Sequence, residues 1–138
     1  MRLPKGSPSL RVLVVEDELI TAECLALCLR RWGHEAAVAC NGPDALSAVP
    51  TFNPQVVLLD IGLPSMDGYE VAHRLRQLPG METCLVVALT GHGHEDDLRR
   101  SKEAGIAYHF LKPLEPDLLR EVLSAAEKLR GERWRFTG

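Results

Sequence analysis

The centre of the chain reads Gln55-Val56-Val57-Leu58-Leu59-Asp60, an apolar run that ends in a carboxylate. A run without polar alternation is typical of a β-strand that is covered on both faces. The next stretch, Gly62-Leu63-Pro64-Ser65-Met66-Asp67-Gly68, is rich in residues that interrupt regular structure, so it predicts a loop. A helical pattern then extends from about Tyr69 to Gln77. This succession of strand, loop and helix indicates an α/β fold.

The same alternation of strand and helix runs through the rest of the chain. Because parallel neighbours in a sheet need crossover connections, the pattern predicts one open, doubly wound parallel sheet with five strands and five helices. A closed eight-fold barrel would need about 250 residues and is excluded by length. Strands are predicted at 11–15, 35–39, 55–60, 85–89 and 107–111, and helices at 19–32, 42–49, 69–77, 94–104 and 116–130.

The chain has room for one domain. Its 138 residues fall in the common domain range of roughly 100 to 150, and a composition of 46% apolar and 25% charged residues is that of an ordinary globular protein. We expect a domain at 11–130, an N-terminal tail or linker at 1–10 and a C-terminal tail at 131–138, with Gly131 closing the last helix. The formal net charge of −3 lacks the basic excess that nucleic-acid binding needs.

No stretch of the sequence predicts a membrane segment. The longest apolar runs, around Val56–Leu59 and Leu85–Leu89, are far shorter than the roughly 20 residues that a spanning helix needs. The first residues include basic side chains, but the apolar stretch of a signal peptide does not follow them. A cytoplasmic location is therefore expected.

Polar side chains gather where the predicted strands end. In an open α/β sheet the carboxyl ends of the strands line the ligand crevice, next to the point where the strand order reverses. These residues would therefore converge on one pocket. They are Glu16 and Asp17 after the first strand, Asp60 at the end of the third, Thr90 after the fourth and Lys112 after the fifth.

The residue types in this pocket suit a metal ion and a phosphoryl group. Glu16, Asp17 and Asp60 would repel one another unless a cation joined them, and Mg²⁺ is the oxygen-seeking ion that suits such a site. Lys112 offers a positive charge and Thr90 a hydroxyl to phosphoryl oxygens. A carboxylate can itself accept the phosphoryl group, and Asp60 is the best candidate because it ends the central strand.

Four segments stand in order along the chain: Val12-Leu13-Val14-Val15-Glu16-Asp17, Leu58-Leu59-Asp60-Ile61-Gly62-Leu63-Pro64-Ser65-Met66-Asp67-Gly68, Ala88-Leu89-Thr90 and Leu111-Lys112-Pro113. Together they resemble the receiver domain of two-component response regulators, the CheY-like family. The resemblance extends over about residues 10–130, and the intervals between the segments also resemble that family. It implies a flavodoxin-like sheet with the strand order 2-1-3-4-5.

The resemblance implies that phosphorylation controls this domain. Asp60 would accept a phosphoryl group from a phosphohistidine on a histidine kinase or a histidine phosphotransfer protein. Mg²⁺ would be held by Asp17, Asp60 and the backbone carbonyl of Gly62, and Glu16 would act largely through water. The implied cofactor is therefore Mg²⁺, and the implied partners carry phosphohistidine.

The response is implied to begin at Lys112 and Thr90. Lys112 would pair with the phosphoryl oxygens, and Thr90 would swing toward them and remodel the surface of the fourth helix, fifth strand and fifth helix. We expect output by contact with a downstream protein target and no direct nucleic-acid binding, since too few residues follow position 130 for a DNA-binding module. A stand-alone regulator and the receiver segment of a hybrid histidine kinase both remain open, as does a homodimer formed on activation.

Some positions depart from the family pattern. An aromatic residue often lies three positions before the lysine, and here that position is His109, between Tyr108 and Phe110. Strand alternation would put Tyr108 and Phe110 on one face and His109 on the other, so His109 could occupy the switch position. Gly91 stands where alanine is commoner, and His92 could lie near the phosphoryl group and influence its lifetime.

Two other functions compete with the signalling switch. A phosphohydrolase that forms an aspartyl phosphate, such as a haloacid-dehalogenase-like phosphatase, uses an Asp-x-Asp pattern whose second carboxylate protonates the leaving group, and position 62 here is glycine. A non-phosphorylated, receiver-like scaffold usually lacks the acidic residues or the lysine, and all are present here. The prediction is a switch that assists its own phosphorylation and dephosphorylation and is not otherwise an enzyme.

Overall fold

A computed structural model describes residues 9–63, 66–91 and 98–137 of the chain. Strands and helices alternate throughout these ranges, as the sequence predicts. The elements are β1 (Arg11–Val15), α1 (Leu19–Arg31), β2 (Glu35–Ala39), α2 (Gly42–Phe52), β3 (Val56–Asp60), α3 (Gly68–Gln77), β4 (Leu85–Thr90), α4 (Leu98–Ala104), β5 (Ile106–Leu111) and α5 (Pro116–Thr137).

The described strands form one parallel sheet with the order β2-β1-β3-β4-β5. This confirms the predicted doubly wound, flavodoxin-like fold. β1 lies between β2 and β3, and its register pairs Val15 with Ala39 on one side and with Leu59 on the other. The chain reverses its direction of progress across the sheet at β1 and β3, so a crevice is expected at the carboxyl ends of these strands.

The sheet separates two apolar cores, which explains why β3 shows no polar alternation. Val57 and Leu59 belong to the core that the sheet forms with α2 and α3. Val56 and Leu58 point to the opposite face, into the core formed with α1 and α5. Every residue of β3 is buried, Asp60 included, so the end of this strand places a carboxylate at the edge of the protein interior.

Helix α2 begins as predicted and ends later. Asn41 caps its first turn by accepting a hydrogen bond from the N–H of Asp44 at 2.8 Å. The predicted end at Val49 is too early, because α2 continues through Pro50 to Phe52. Proline removes only one hydrogen bond of the helix, and here the helix continues one further turn before it stops.

Helix α5 also continues past its predicted end. The prediction that Gly131 closes the last helix is wrong, since α5 extends from Pro116 to Thr137. A glycine inside a helix costs only about 1 kcal/mol relative to alanine, which is not enough to stop it. The predicted start of α4 at His94 lies outside the described residues, as does His92. No helix in the described part of the chain is long and apolar enough to cross a membrane.

Candidate functional site

The carboxyl ends of neighbouring strands bring the predicted site residues to one edge of the sheet. Asp60 is the last residue of β3, and Thr90 is the last residue of β4. Lys112 follows β5, and its backbone N–H donates to the carbonyl oxygen of Thr90 at 2.7 Å. That hydrogen bond holds the end of β5 against the end of β4. The lysine and the threonine are therefore fixed to each other through their backbones.

Three carboxylates form an acidic cluster at this edge. One oxygen each from Glu16, Asp17 and Asp60 lie within 4.8 Å of one another. Glu16 is 1% exposed and Asp60 is 5% exposed, whereas Asp17 is open to solvent. Such a set of hard oxygen donors, two buried and one exposed, fits a Mg²⁺ ion that retains several of its waters. The exposure of Asp17 also gives the cluster access to solvent.

Lys112 supplies the positive charge nearest to this cluster. Its Nζ forms an ion pair with Glu16 and lies 3.3 Å from Oδ2 of Asp60. The lysine side chain remains about a quarter exposed, so its charged end can face both the cluster and an incoming group. The arrangement places a cation beside the buried carboxylate of Asp60.

Burial and charge act in opposite directions on these groups. Burial raises the pKa of Glu16 to about 7; the hydrogen bond from Lys112 opposes that shift and the neighbouring Asp60 adds to it. Burial by itself would lower the pKa of Lys112, but the contacts with Glu16 and Asp60 outweigh it and hold that pKa above its ordinary value. Lys112 therefore stays positively charged at neutral pH, and a further cation would favour the ionised form of Glu16.

The loop after β3 is held closely against the strand. The N–H of Gly62 donates to Oδ1 of Asp60 at 3.0 Å, which orients the carboxylate. The N–H of Gly68 reaches back to the carbonyl oxygen of Ile61 at 3.3 Å. A Cβ atom on Gly68 would lie only 2.6 Å from Cα of Ile61, so only glycine allows this approach. Pro64, which the loop prediction includes, lies outside the described residues.

Thr90 and His109 occupy different surroundings. The hydroxyl of Thr90 is buried and points to the carbonyl oxygen of Phe110 at 3.5 Å, a long contact that holds it weakly. His109 faces α4, where its Nε2 lies 2.6 Å from the hydroxyl oxygen of Ser101. Tyr108 and Phe110 stack on each other at 6.2 Å between ring centres. The predicted division of these three residues between two faces of β5 is consistent with these contacts.

Charged contacts between α3 and α4 are not predicted by the sequence. Arg100 lies 2.5 Å from Oδ2 of Asp67 and stacks over the ring of Tyr69. Asp67 is recognisable in the sequence as a helix cap, but nothing local predicts a partner 33 positions away. These residues adjoin the loop that follows Asp60.

An apolar groove opens beside Lys112, between α1 and the connection from β5 to α5. It has a volume of about 560 Å³. Its lining includes Ile20, Cys24, Leu25 and Pro113, together with Lys112 at the end nearest the acidic cluster. Ile20 is 76% exposed, and together with the other apolar residues of the lining it forms an exposed apolar surface. We call this surface the α1–α5 groove.

Comparison with known proteins agrees with the fold. Residues 12–124 match the response regulator receiver domain family. The chain is 33% identical over 113 residues to sporulation initiation phosphotransferase F of Bacillus subtilis, which covers 82% of this chain and 90% of that protein. It is 34% identical over 129 residues to the sensor histidine kinase RcsC of Salmonella typhimurium, covering 93% of this chain and 13% of the kinase.

A solved structure gives the same result. The response regulator receiver domain (CheY-like) from Methylobacillus flagellatus superposes with a TM-score of 0.78 at 28% identity, covering 86% of this chain and 99% of that one. Receiver domains interact with histidine kinases and phosphotransfer proteins in two-component signal transduction. The family match, the parallel sheet and the sequence identity to these relatives show that the chain belongs to the receiver domain family of two-component response regulators.

Proposed function

We propose that this domain is a phosphorylation-dependent signalling switch whose phosphoryl acceptor is Asp60. The observation that carries the proposal is that Asp60 lies beside both a lysine and two further carboxylates. Its Oδ2 lies 3.3 Å from Nζ of Lys112, and a carboxylate oxygen lies within 4.8 Å of oxygens of Glu16 and Asp17. A phosphoryl group on Asp60 would lie close to the lysine and to carboxylates that could hold a divalent ion.

The acidic cluster is proposed to bind Mg²⁺. Asp17, Asp60 and the backbone carbonyl of Gly62 would hold the ion, and Glu16 would act largely through water. The buried carboxylates of Glu16 and Asp60 favour a cation because like charges in a poorly solvated site repel each other. When bound, the ion supplies positive charge that offsets these carboxylates and the incoming phosphoryl group.

The proposed transfer requires positioning and charge neutralisation more than side-chain acid–base chemistry. A carboxylate oxygen of Asp60 bonds to phosphorus while the phosphorus–nitrogen bond of the donor phosphohistidine breaks. The electron pair of that bond stays on the imidazole nitrogen, so the donor leaves as histidine. The N–H of Gly62 orients the acceptor carboxylate, and Lys112 stabilises the negative charge on the phosphoryl oxygens.

The proposed donor is a histidine kinase or a histidine phosphotransfer protein that docks on the α1–α5 groove. This groove is apolar and ends at Lys112, so a partner seated there would present its histidine to the acidic cluster. After transfer, Thr90 and Lys112 would respond to the phosphoryl group, and output would follow by contact with a downstream protein. The unit that performs these steps is proposed to span residues 11–130.

The direct test is labelling by a small phosphodonor with Mg²⁺, read by intact-mass spectrometry. We expect the wild-type chain to gain one phosphoryl group, Asp60→Asn to gain none and chelation of Mg²⁺ to suppress the reaction. Glu70→Gln is the matched control because Glu70 is an exposed carboxylate on α3 that pairs with Arg74. Lys112→Ala should impair the conformational response of the domain to phosphorylation.

Two outcomes would change this assignment. Labelling that persists in Asp60→Asn would show that another residue is the acceptor. Sustained turnover of a phosphomonoester, lost in Asp60→Asn, would favour a phosphohydrolase over a switch.

A further inference from the structure

Arg100 joins α4 to the start of α3. Its Nη2 lies 2.5 Å from Oδ2 of Asp67, and its guanidinium carbon lies 4.4 Å from the ring centre of Tyr69. Asp67 caps α3 and Tyr69 is in its first turn. We call these three residues the Arg100 cluster. It connects the two helices on one flank of the acidic site.

Asp67 uses both of its carboxylate oxygens. Oδ1 accepts a hydrogen bond from the N–H of Tyr69 at 2.9 Å, and Oδ2 accepts a hydrogen bond from Nη2 of Arg100. The ion pair is about half exposed, so on its own it adds little to stability. Tyr69, however, is only 8% exposed, and a guanidinium stacked on its ring is confined in position. The cluster therefore restrains the geometry of the α3 N-terminus more than it stabilises the fold.

That N-terminus is in direct contact with the acceptor strand. Gly68 donates its N–H to the carbonyl of Ile61, and its Cα packs against the backbone of Ile61 and Asp60 too closely for a Cβ atom. Gly62, between these points, donates to the carboxylate of Asp60. The loop thus runs from Asp60 to a helix start that Arg100 restrains.

A second contact connects α4 to the strand that precedes Lys112. The hydroxyl oxygen of Ser101, the residue after Arg100, lies 2.6 Å from Nε2 of His109 in β5. The ring of His109 is also 6.3 Å from the ring of Tyr69. A shift of α4 would therefore displace both the α3 N-terminus and the strand that leads to Lys112.

We propose that Arg100 is a positioning residue that couples α4 to the Mg²⁺ and phosphoryl site through Asp67 and Tyr69. This inference rests on the proposed function of that site. Because coupling between two sites is reciprocal, the ion should tighten the contact between α3 and α4, and loss of Arg100 should weaken the ion site although the two do not touch.

The test is a calorimetric titration of Mg²⁺ into the full chain and its variants, with urea unfolding measured without metal. Since exposed ion pairs and cation–π contacts are individually modest, Arg100→Ala should bind Mg²⁺ about three- to tenfold more weakly. Asp67→Asn should have a similar effect, because it keeps a capping oxygen and loses the charge. Arg100→Lys should rescue part of the affinity. Arg99→Ala is the matched control. Arg99 is 90% exposed, and its Nε comes no closer than 3.9 Å to the carboxylate of Glu103.

A double-mutant cycle separates positioning from general destabilisation. If Arg100 acts through Asp67, the double variant should bind Mg²⁺ no more weakly than either single variant. Wild-type affinity in Arg100→Ala would overturn the coupling, as would equal losses in Arg99→Ala and Arg100→Ala. If the wild-type chain itself binds no Mg²⁺, the proposed metal site is wrong and the coupling falls with it.

Discussion

Replacement of Gly68 by alanine tests how closely α3 approaches the end of β3. The added Cβ atom would lie 2.6 Å from Cα of Ile61 and 3.1 Å from the carbonyl oxygen of Asp60. Both are backbone atoms, so no side-chain rotation relieves the clash. Overpacking of this kind costs about 1 to 3 kcal/mol, and we expect the upper half of that range. Alanine returns at most about 1 kcal/mol of helix propensity.

The expected net loss in the free energy of unfolding is therefore about 1 to 3 kcal/mol, or a fall in Tm of roughly 3 to 12 °C for a domain of this size. Thermal unfolding measures the loss, and labelling by a phosphodonor measures the displacement of Asp60. Gly80→Ala is the control: its φ of 82° strains alanine, but no atom lies within 4 Å of the new Cβ. Both variants should lose stability, and only Gly68→Ala should be labelled more slowly. Wild-type stability and labelling in Gly68→Ala would refute the close approach.

Burial raises the pKa of Glu16 from 4.5 to about 7. Between these pH values the unfolded chain has released the proton of Glu16 while the folded chain still holds it. The metal-free folded protein should therefore lose stability as the pH rises from 4.5 to about 7. Mg²⁺ favours the ionised form, so the rise in Tm that it produces should grow over the same window, and an equal effect at both ends would contradict this reasoning. Arg76 donates to the carbonyls of Met81 at 2.9 Å and Gly105 at 2.7 Å. Arg76→Ala should cost about 2 kcal/mol in urea unfolding because it removes two partly buried hydrogen bonds from a charged donor. Arg74→Ala is the control and should cost less than about 0.5 kcal/mol, because it breaks only an exposed ion pair. Similar losses in the two variants would show that the hydrogen bonds of Arg76 do not stabilise the fold.

The sequence predicts the sheet and the members of the acidic cluster for one physical reason. Parallel strands that are buried on both faces must be apolar along their length, so a polar residue can appear only where the strand leaves the core. Asp60 at the end of β3 and Thr90 at the end of β4 are therefore visible as interruptions. Their convergence follows from the common direction of the strands.

What the sequence does not predict depends on contacts between distant surfaces or on small energy differences. Arg100 meets Asp67 and Tyr69 only because α3 and α4 are neighbours in space, and the seven described residues of α4 form a pattern that carries little information. Gly131 reads as a stop, yet α5 continues because a single glycine is a weak obstacle. Helix ends and charged pairs of this kind need coordinates.

The division of the interior by the sheet bears on how such a domain can diverge. The layer under α2 and α3 includes Ile61 and Tyr69, which support the loop after Asp60, whereas the layer under α1 and α5 supports the α1–α5 groove. Because the two layers have no side chain in common, substitutions in one should combine almost additively with those in the other. A lineage can therefore change the helices of the proposed docking groove while the proposed acceptor site keeps its shape.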